Sequence, residues 1–255
     1  MNTISKWAMA IATVLVCTAI TTQPARAVTF TVLYSFGGGP DGNGPNELIQ
    51  ATNGDFYGTT FASGANGYGT VFKITPSGKL TTLYSFCSQT NCTDGANPLT
   101  GLIQSTNGDF YGVTQAGGSC CGTVFKITPS GTFTTIYNFC SQTNCTDGED
   151  PYGGLIQPTE GDLYGTITGG GTGTEGTVFK ITPGGTLTTL YSFCANGAPP
   201  DCTDGANPWG ALIQASNGDF YGTTDGGGAN GDYGTVWIST GQRQEAAPAQ
   251  APAII

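Results

Sequence analysis

The chain has 255 residues, of which 42 are glycine and only 9% are charged, and 17 acidic against 7 basic side chains give a formal net charge of −10. So much glycine with so few charges excludes a helical bundle and leaves strands and turns. The acidic balance argues against nucleic acid as a partner, and the absence of histidine excludes a Ser-His-Asp triad, a Cys-His dyad and any His-ligated metal.

Residues 1–27 read as a secretory signal peptide. Lys6 is a short positive region, Trp7 to Ile20 carries no charge, and Ala25-Arg26-Ala27 is the small-x-small pattern that a signal peptidase cuts. A lipoprotein reading with lipidated Cys17 is weaker, because Val16 is branched where a small residue is expected. Cleavage after Ala27 leaves five basic side chains against seventeen acidic ones, and eight cysteines. Eight cysteines in an exported chain point to disulfides. No later stretch approaches the roughly 18 apolar residues that a membrane span needs. The expected location is secreted or at the cell surface.

From residue 30 to 240 the chain repeats itself. Gly-Asp-Phe-Tyr-Gly begins at Gly54, Gly108 and Gly218, with Gly-Asp-Leu-Tyr-Gly at Gly161, a period of about 53 residues. Gly-Thr-Val-Phe-Lys-Ile-Thr-Pro begins at Gly69, Gly122 and Gly176, with a degenerate copy at Gly234. Each repeat predicts four strands. In the first copy they are Leu48–Ala51, Phe56–Thr60, Thr70–Thr75 and Leu80–Phe86. Asn53-Gly54 is a strong hairpin signal, and Pro76-Ser77-Gly78 forms a second tight turn.

The two ends of this array complement each other. Phe-Thr-Val-Leu-Tyr-Ser-Phe at 30–36 reads as a fourth strand without its first three, and 211–240 supplies three strands without a fourth. Pairing the two removes both exposed sheet edges. The expectation is therefore an all-β, four-bladed β-propeller over 28–240, closed by the N-terminal strand. An open fragment of a larger propeller is the alternative. The residues 241–255, rich in Ala, Pro and Gln, read as a disordered tail or an altered end.

These blocks, closing with Leu-Thr-Thr-Leu-Tyr-Ser-Phe at 80–86, resemble the GloVer tandem repeat of exported bacterial proteins, over about residues 30–240. The resemblance implies a surface or secreted location and a variable C-terminal anchor, with no assigned activity and no catalytic residues to carry over. This chain departs from it in showing no recognisable anchor.

Candidate sites cluster in the segments joining one repeat to the next. Asp-Gly-x-x-Pro recurs at Asp41, Asp94, Asp147 and Asp204. Four such carboxylates could form a cation site, but capping of their own turns is the stronger reading, and no metal is expected. Cys87/Cys92, Cys140/Cys145 and Cys194/Cys202 share these segments, and local pairing makes each a structural staple. Cys120 and Cys121 are adjacent in one copy only, so a vicinal bridge, a bridge to another chain and two free thiols stay open. The position after the proline varies through Asn46, Leu99, Tyr152 and Trp209. Aromatic planes beside carboxylates suit sugar stacking, while packing against the neighbouring blade is an equal use. Glu149 and Asp150 are acids peculiar to one copy, but adjacent residues seldom flank one glycosidic bond.

The expected function is an exported non-enzymatic scaffold that binds glycan or extracellular protein through Trp209, Tyr152, Asp147 and Asp204 on its long-loop face, with no cofactor. The alternative is a carbohydrate-active hydrolase or lyase using carboxylates and tyrosines.

Overall fold

The structure, a computed structural model, describes residues 29–158, 161–195 and 202–240. The expected signal peptide, 1–27, and tail, 241–255, lie outside these residues. Residues 29–32 belong to an N-terminal unit, and the chain from Leu33 forms a second compact unit. No strand is formed over 30–36, where the sequence predicts one, and Phe30 is 91% exposed.

Fifteen strands are present among the described residues. The first repeat contributes β1 (Asn43–Pro45), β2 (Ile49–Gln50), β3 (Phe56–Ala62), β4 (Thr70–Ile74) and β5 (Leu80–Ser85). The second contributes β6 (Ile103–Gln104), β7 (Phe110–Thr114), β8 (Thr123–Ile127) and β9 (Phe133–Asn138). The third contributes β10 (Leu163–Ile167), β11 (Thr177–Ile181) and β12 (Leu187–Ser192); its first strand shrinks to a bridge between Ile156 and Tyr164. The fourth contributes β13 (Ile213–Gln214), β14 (Phe220–Thr224) and β15 (Thr235–Ser239). They form four separate antiparallel sheets in chain order. The strand β1, which the sequence reading missed, pairs with the far end of β3.

The repeated residues explain the repeated shape. A bulge falls after the valine of Thr-Val-Phe-Lys-Ile in three sheets, at Val71/Phe72, Val124/Phe125 and Val178/Phe179. It kinks the ladder at one fixed place. The phenylalanine after it lies across the glycine of the neighbouring strand's Tyr-Gly. A Cβ on Gly112 would sit 2.6 Å from the Phe125 ring, so only glycine fits there. Threonine hydroxyls pair across the same strands at Thr60–Thr70, 2.9 Å, and at Thr114–Thr123 and Thr224–Thr235, both 2.8 Å. In the third sheet Ile167 replaces that threonine, and the buried Thr177 hydroxyl is left without a partner.

The core lies between successive sheets. Tyr57, Val71 and Phe86 pack on Phe110 and Phe125 of the second sheet, and Val124 and Phe139 pack on Leu163 and Phe179 of the third. Phe193 packs on Phe220, with Trp237 against them. One contact recurs throughout: the last aromatic of one repeat meets the third-strand aromatic of the next edge to face. Ring centroids are 5.1 Å apart for Phe36–Phe72, 5.2 Å for Phe86–Phe125, 5.4 Å for Phe139–Phe179 and 5.6 Å for Phe193–Trp237.

The fourth sheet differs in leaving the outer edge of its third strand, β15, unpaired among the described residues. Val236 is 80% exposed, and a cleft of about 430 Å³ opens beside β15, lined by Leu190, Tyr191, Phe193, Trp237 and Ile238. Between the first and second sheets Phe133 fills the corresponding place, stacked on Tyr84 at 3.9 Å.

Candidate functional site

The segments after each Asp-Gly-x-x-Pro converge. Glu47 of the first repeat, Leu99–Ile103 of the second, Tyr152, Gly154 and Leu155 of the third, and Trp209–Ala211 of the fourth line one cleft of about 420 Å³. Backbone geometry brings them there. The residue before each proline holds a positive φ: 65° at Gly44, 55° at Asn97, 58° at Asp150 and 53° at Asn207. That conformation suits glycine, asparagine and aspartate, and it turns the chain inward at the same point of every repeat. Hydrogen bonds then join neighbours across the cleft wall. Asn46 Nδ2 donates to the Pro98 carbonyl at 2.9 Å, Thr59 Oγ1 to Thr100 O at 2.7 Å and Thr166 Oγ1 to Gly210 O at 2.9 Å. The Gly101 amide donates to a Glu47 carboxylate oxygen at 2.6 Å.

Of the four residues expected to bind ligand, the structure brings two together. The rings of Tyr152 and Trp209 stack at 5.1 Å with planes 21° apart. Trp209 keeps 56% of its surface exposed, and Gln115 Nε2 donates to Tyr152 Oη at 2.7 Å, which fixes that ring. Asp147 and Asp204 do not line the cleft. Each holds its own connecting loop. Asp147 is fully buried and accepts bonds from Tyr137 Oη at 2.8 Å, the Ser141 amide at 2.9 Å and the Gln142 amide at 3.2 Å. Asp204 accepts from Tyr191 Oη at 2.8 Å and from the Cys194 amide.

The same hub occurs in the other repeats. Tyr84 Oη donates to Asp94 at 2.6 Å and Tyr34 Oη to Asp41 at 3.0 Å. Burial and then the Asp94 bond push the Tyr84 phenol up to about 12, and burial and then Asp204 push Tyr191 up to about 12. Burial alone would raise the Asp94 carboxyl, but its Tyr84 and Ser88 donors outweigh that and hold it below the usual carboxylate range. These partners were missed from sequence. The signal was the constant co-occurrence of a Tyr-x-Phe strand end (Leu-Tyr-Ser-Phe, or Ile-Tyr-Asn-Phe at 136–139) and Asp-Gly, hidden by loops of different length.

The four carboxylates are thus engaged by tyrosine hydroxyls or backbone amides, each in its own loop. Disulfides join Cys87 to Cys92, Cys140 to Cys145, Cys194 to Cys202 and Cys120 to Cys121. The sulfurs of Cys120, Cys121 and Cys140 lie within 4.8 Å of one another, but bonded sulfur offers no thiolate to an ion. No helix among the described residues is long and apolar enough to cross a membrane.

No curated protein matches the chain. Among solved structures it is similar to the extracellular domain of a B. thetaiotaomicron protein described as a one-component system. The identity is 15% and the TM-score 0.47, over 76% of this chain and 21% of that one. It is also similar to an aldose sugar dehydrogenase from Streptomyces coelicolor, solved with PQQ bound, at 18% identity and a TM-score of 0.43, over 72% of this chain and 57% of that one. This chain therefore spans about a fifth of the first protein and little over half of the second. The sequence itself is decisive: with residues 17–237 matched, the chain belongs to the Gloeobacter/Verrucomicrobia repeat family.

Proposed function

We propose that this chain is an exported, non-enzymatic repeat scaffold that binds a neutral glycan in the cleft walled by Tyr152 and Trp209. The carrying observation is the stacked aromatic pair in a cleft to which all four repeats contribute. An aromatic face held by a partner ring loses little freedom when a sugar ring stacks on it. The chain's net charge of −10 and Glu47 in the lining disfavour anionic ligands. Glu47 is also the one carboxylate among the lining residues, whereas glycoside hydrolysis ordinarily needs two, which supports binding over catalysis. Asp147 and Asp204 serve the site by holding the loops that carry Tyr152 and Trp209.

The four sheets are, on this reading, the blades of one propeller, and residues 30–36 supply the strand that the fourth sheet lacks. Support comes from the match of Phe-Thr-Val-Leu-Tyr-Ser-Phe to 80–86, 133–139 and 187–193, and from the open edge of β15. Deleting 30–36 then lowers the melting temperature and promotes aggregation. An unchanged melting temperature in a soluble deletion variant removes the closed-ring reading.

The function is tested by screening the purified protein on an array of neutral and acidic glycans and titrating the best ligand by calorimetry. Trp209→Ala should weaken binding by about 1–3 kcal/mol with little loss of fold, and Asn53→Ala should leave it alone. Full affinity in Trp209→Ala, or its outright unfolding, overturns the platform.

A further inference from the structure

Two connecting loops share the same nine residues. Cys-Ser-Gln-Thr-Asn-Cys-Thr-Asp-Gly spans 87–95 and again 140–148. Both loops close a disulfide between their cysteines. Both turn through an asparagine at positive φ, Asn91 at 59° and Asn144 at 58°. Both wrap an aspartate that accepts a tyrosine hydroxyl and two backbone amides. Their neighbours differ. Beside the second loop lies the Cys120–Cys121 disulfide, with the sulfurs of Cys120, Cys121 and Cys140 within 4.8 Å of one another. In the first repeat Gly67-Tyr68 stands where Cys120-Cys121 stands in the second.

We propose that Cys120, Cys121, Cys140 and Cys145 form a thiol–disulfide exchange site that takes a low-molecular-weight thiol at Cys120. Cys120 is exposed and Cys121 half-buried, so an incoming thiolate reaches the outer sulfur first. Its sulfur bonds to Cys120 Sγ, the Cys120–Cys121 bond breaks, and Cys121 leaves as a thiolate. That thiolate attacks Cys140 Sγ, forming a Cys121–Cys140 bridge and releasing Cys145, which takes a proton from water. A second thiol attacks the mixed disulfide on Cys120 and departs with the first as their own disulfide. Two external thiols are oxidised, and the two protein disulfides become one bridge and two thiols, on Cys120 and Cys145. The internal step is fast because the attacking and attacked sulfurs are already side by side, which raises the effective concentration of one for the other. The new bridge ties the glycine-rich loop of the second sheet to the segment leading to Tyr152.

The identical loop at 87–95 is an internal control. The purified full chain is treated with graded reduced glutathione, quenched by alkylation and mapped by mass spectrometry. The expected result is a 121–140 linked peptide and opening of the 140–145 bridge at least about tenfold faster than the 87–92 bridge. In the Cys120→Ser/Cys121→Ser variant the 140–145 rate should fall to that of 87–92. Equal rates for the two loops in the unaltered chain, or no 121–140 linkage, overturn the proposal. Cys120→Ser alone gives a second reading, because it frees Cys121 without any reductant. It should yield a 121–140 bridge with Cys145 alkylated. Alkylation of Cys121 with 140–145 intact overturns the relay, and an intact 87–92 bridge in the same sample reports that the fold has survived.

Discussion

The strands β8 and β15 occupy the same place in their repeats and begin alike, Thr-Val-Phe-Lys-Ile against Thr-Val-Trp-Ile-Ser. Yet Val124 in β8 is fully buried and Val236 in β15 is 80% exposed. The difference lies in the neighbours. In the second sheet β9 pairs with the outer edge of β8, and among the described residues no strand pairs with the outer edge of β15. A valine in this fold is therefore worth what the next sheet makes of it, because apolar burial stabilises in proportion to area removed from water. Val124 is buried against Leu163 and Phe179 of the third sheet, and Val236 belongs to no core cluster among the described residues.

Substituting the two valines tests that statement with the largest effect. Val124→Ala should destabilise by about 2 kcal/mol through lost transfer energy and the cavity left behind. Val236→Ala should change stability by less than about 0.5 kcal/mol where that face of β15 stays open, as at an ordinary surface position, and by as much as Val124→Ala where ring closure covers it. Urea unfolding of both variants gives the two numbers. Equal losses break the comparison and mean that β15 is covered in solution.

This contrast also separates what was legible in the sequence from what was not. The hairpin at Asn53-Gly54 and the strands at Thr70, Thr123 and Thr177 were legible, because turn chemistry and β-branched runs are local signals that four copies reinforce. β1 was not, since Asn43-Gly44-Pro45 has a turn's composition and is held extended by β3. In the cleft, the shared repeat position of Tyr152 and Trp209 was visible, but their stacking depends on how the third and fourth repeats face each other. The burial of Asp147 was illegible for a similar reason: its partners lie in β9 and in a loop whose length varies between repeats.

The tyrosines sharpen the comparison at intermediate scale. Tyr84 lies under Phe133, whereas Tyr191 is 47% exposed beside the open edge, yet both phenols are pushed up to about 12, burial being the first cause and the aspartate bond the second. A folded-state pKa above the unfolded value of about 10 means stability that is complete below pH 10 and lost as pH rises towards 12. Absorbance titration at 295 nm should show two components near pH 12, one removed by Tyr84→Phe and the other by Tyr191→Phe. In a variant lacking residues 30–36, adding a peptide of sequence Phe-Thr-Val-Leu-Tyr-Ser-Phe should move only the Tyr191 component if such a strand seats beside β15. Movement of both components, or of neither, counts against that seat.

The smallest effect concerns Asp150, where one repeat breaks a rule that the others keep. Gly44, Asn97 and Asn207 hold the equivalent positive-φ position, and both asparagines use their amide as a donor. Asn97 Nδ2 donates to the Phe61 carbonyl at 3.1 Å, and Asn207 Nδ2 to the Glu175 carboxylate at 3.3 Å. A carboxylate cannot donate, and among the described residues no donor is paired with that of Asp150. Burial raises its pKa, so the folded chain resists its ionisation. The neutral form is favoured below the unfolded value of about 3.8, and the cost of ionising builds as pH rises through the raised folded value. Asp150→Asn keeps the backbone preference, supplies a donor and removes the charge. Because Asp150 is largely exposed and solvent screens its charge, the gain in stability at pH 7 should be no more than about 0.3 kcal/mol, vanishing near pH 3. Thermal unfolding of the variant and its parent at both pH values measures this. A gain that persists at pH 3 assigns the effect to the new hydrogen bond, and no gain at pH 7 means that water already satisfies the carboxylate in the folded chain.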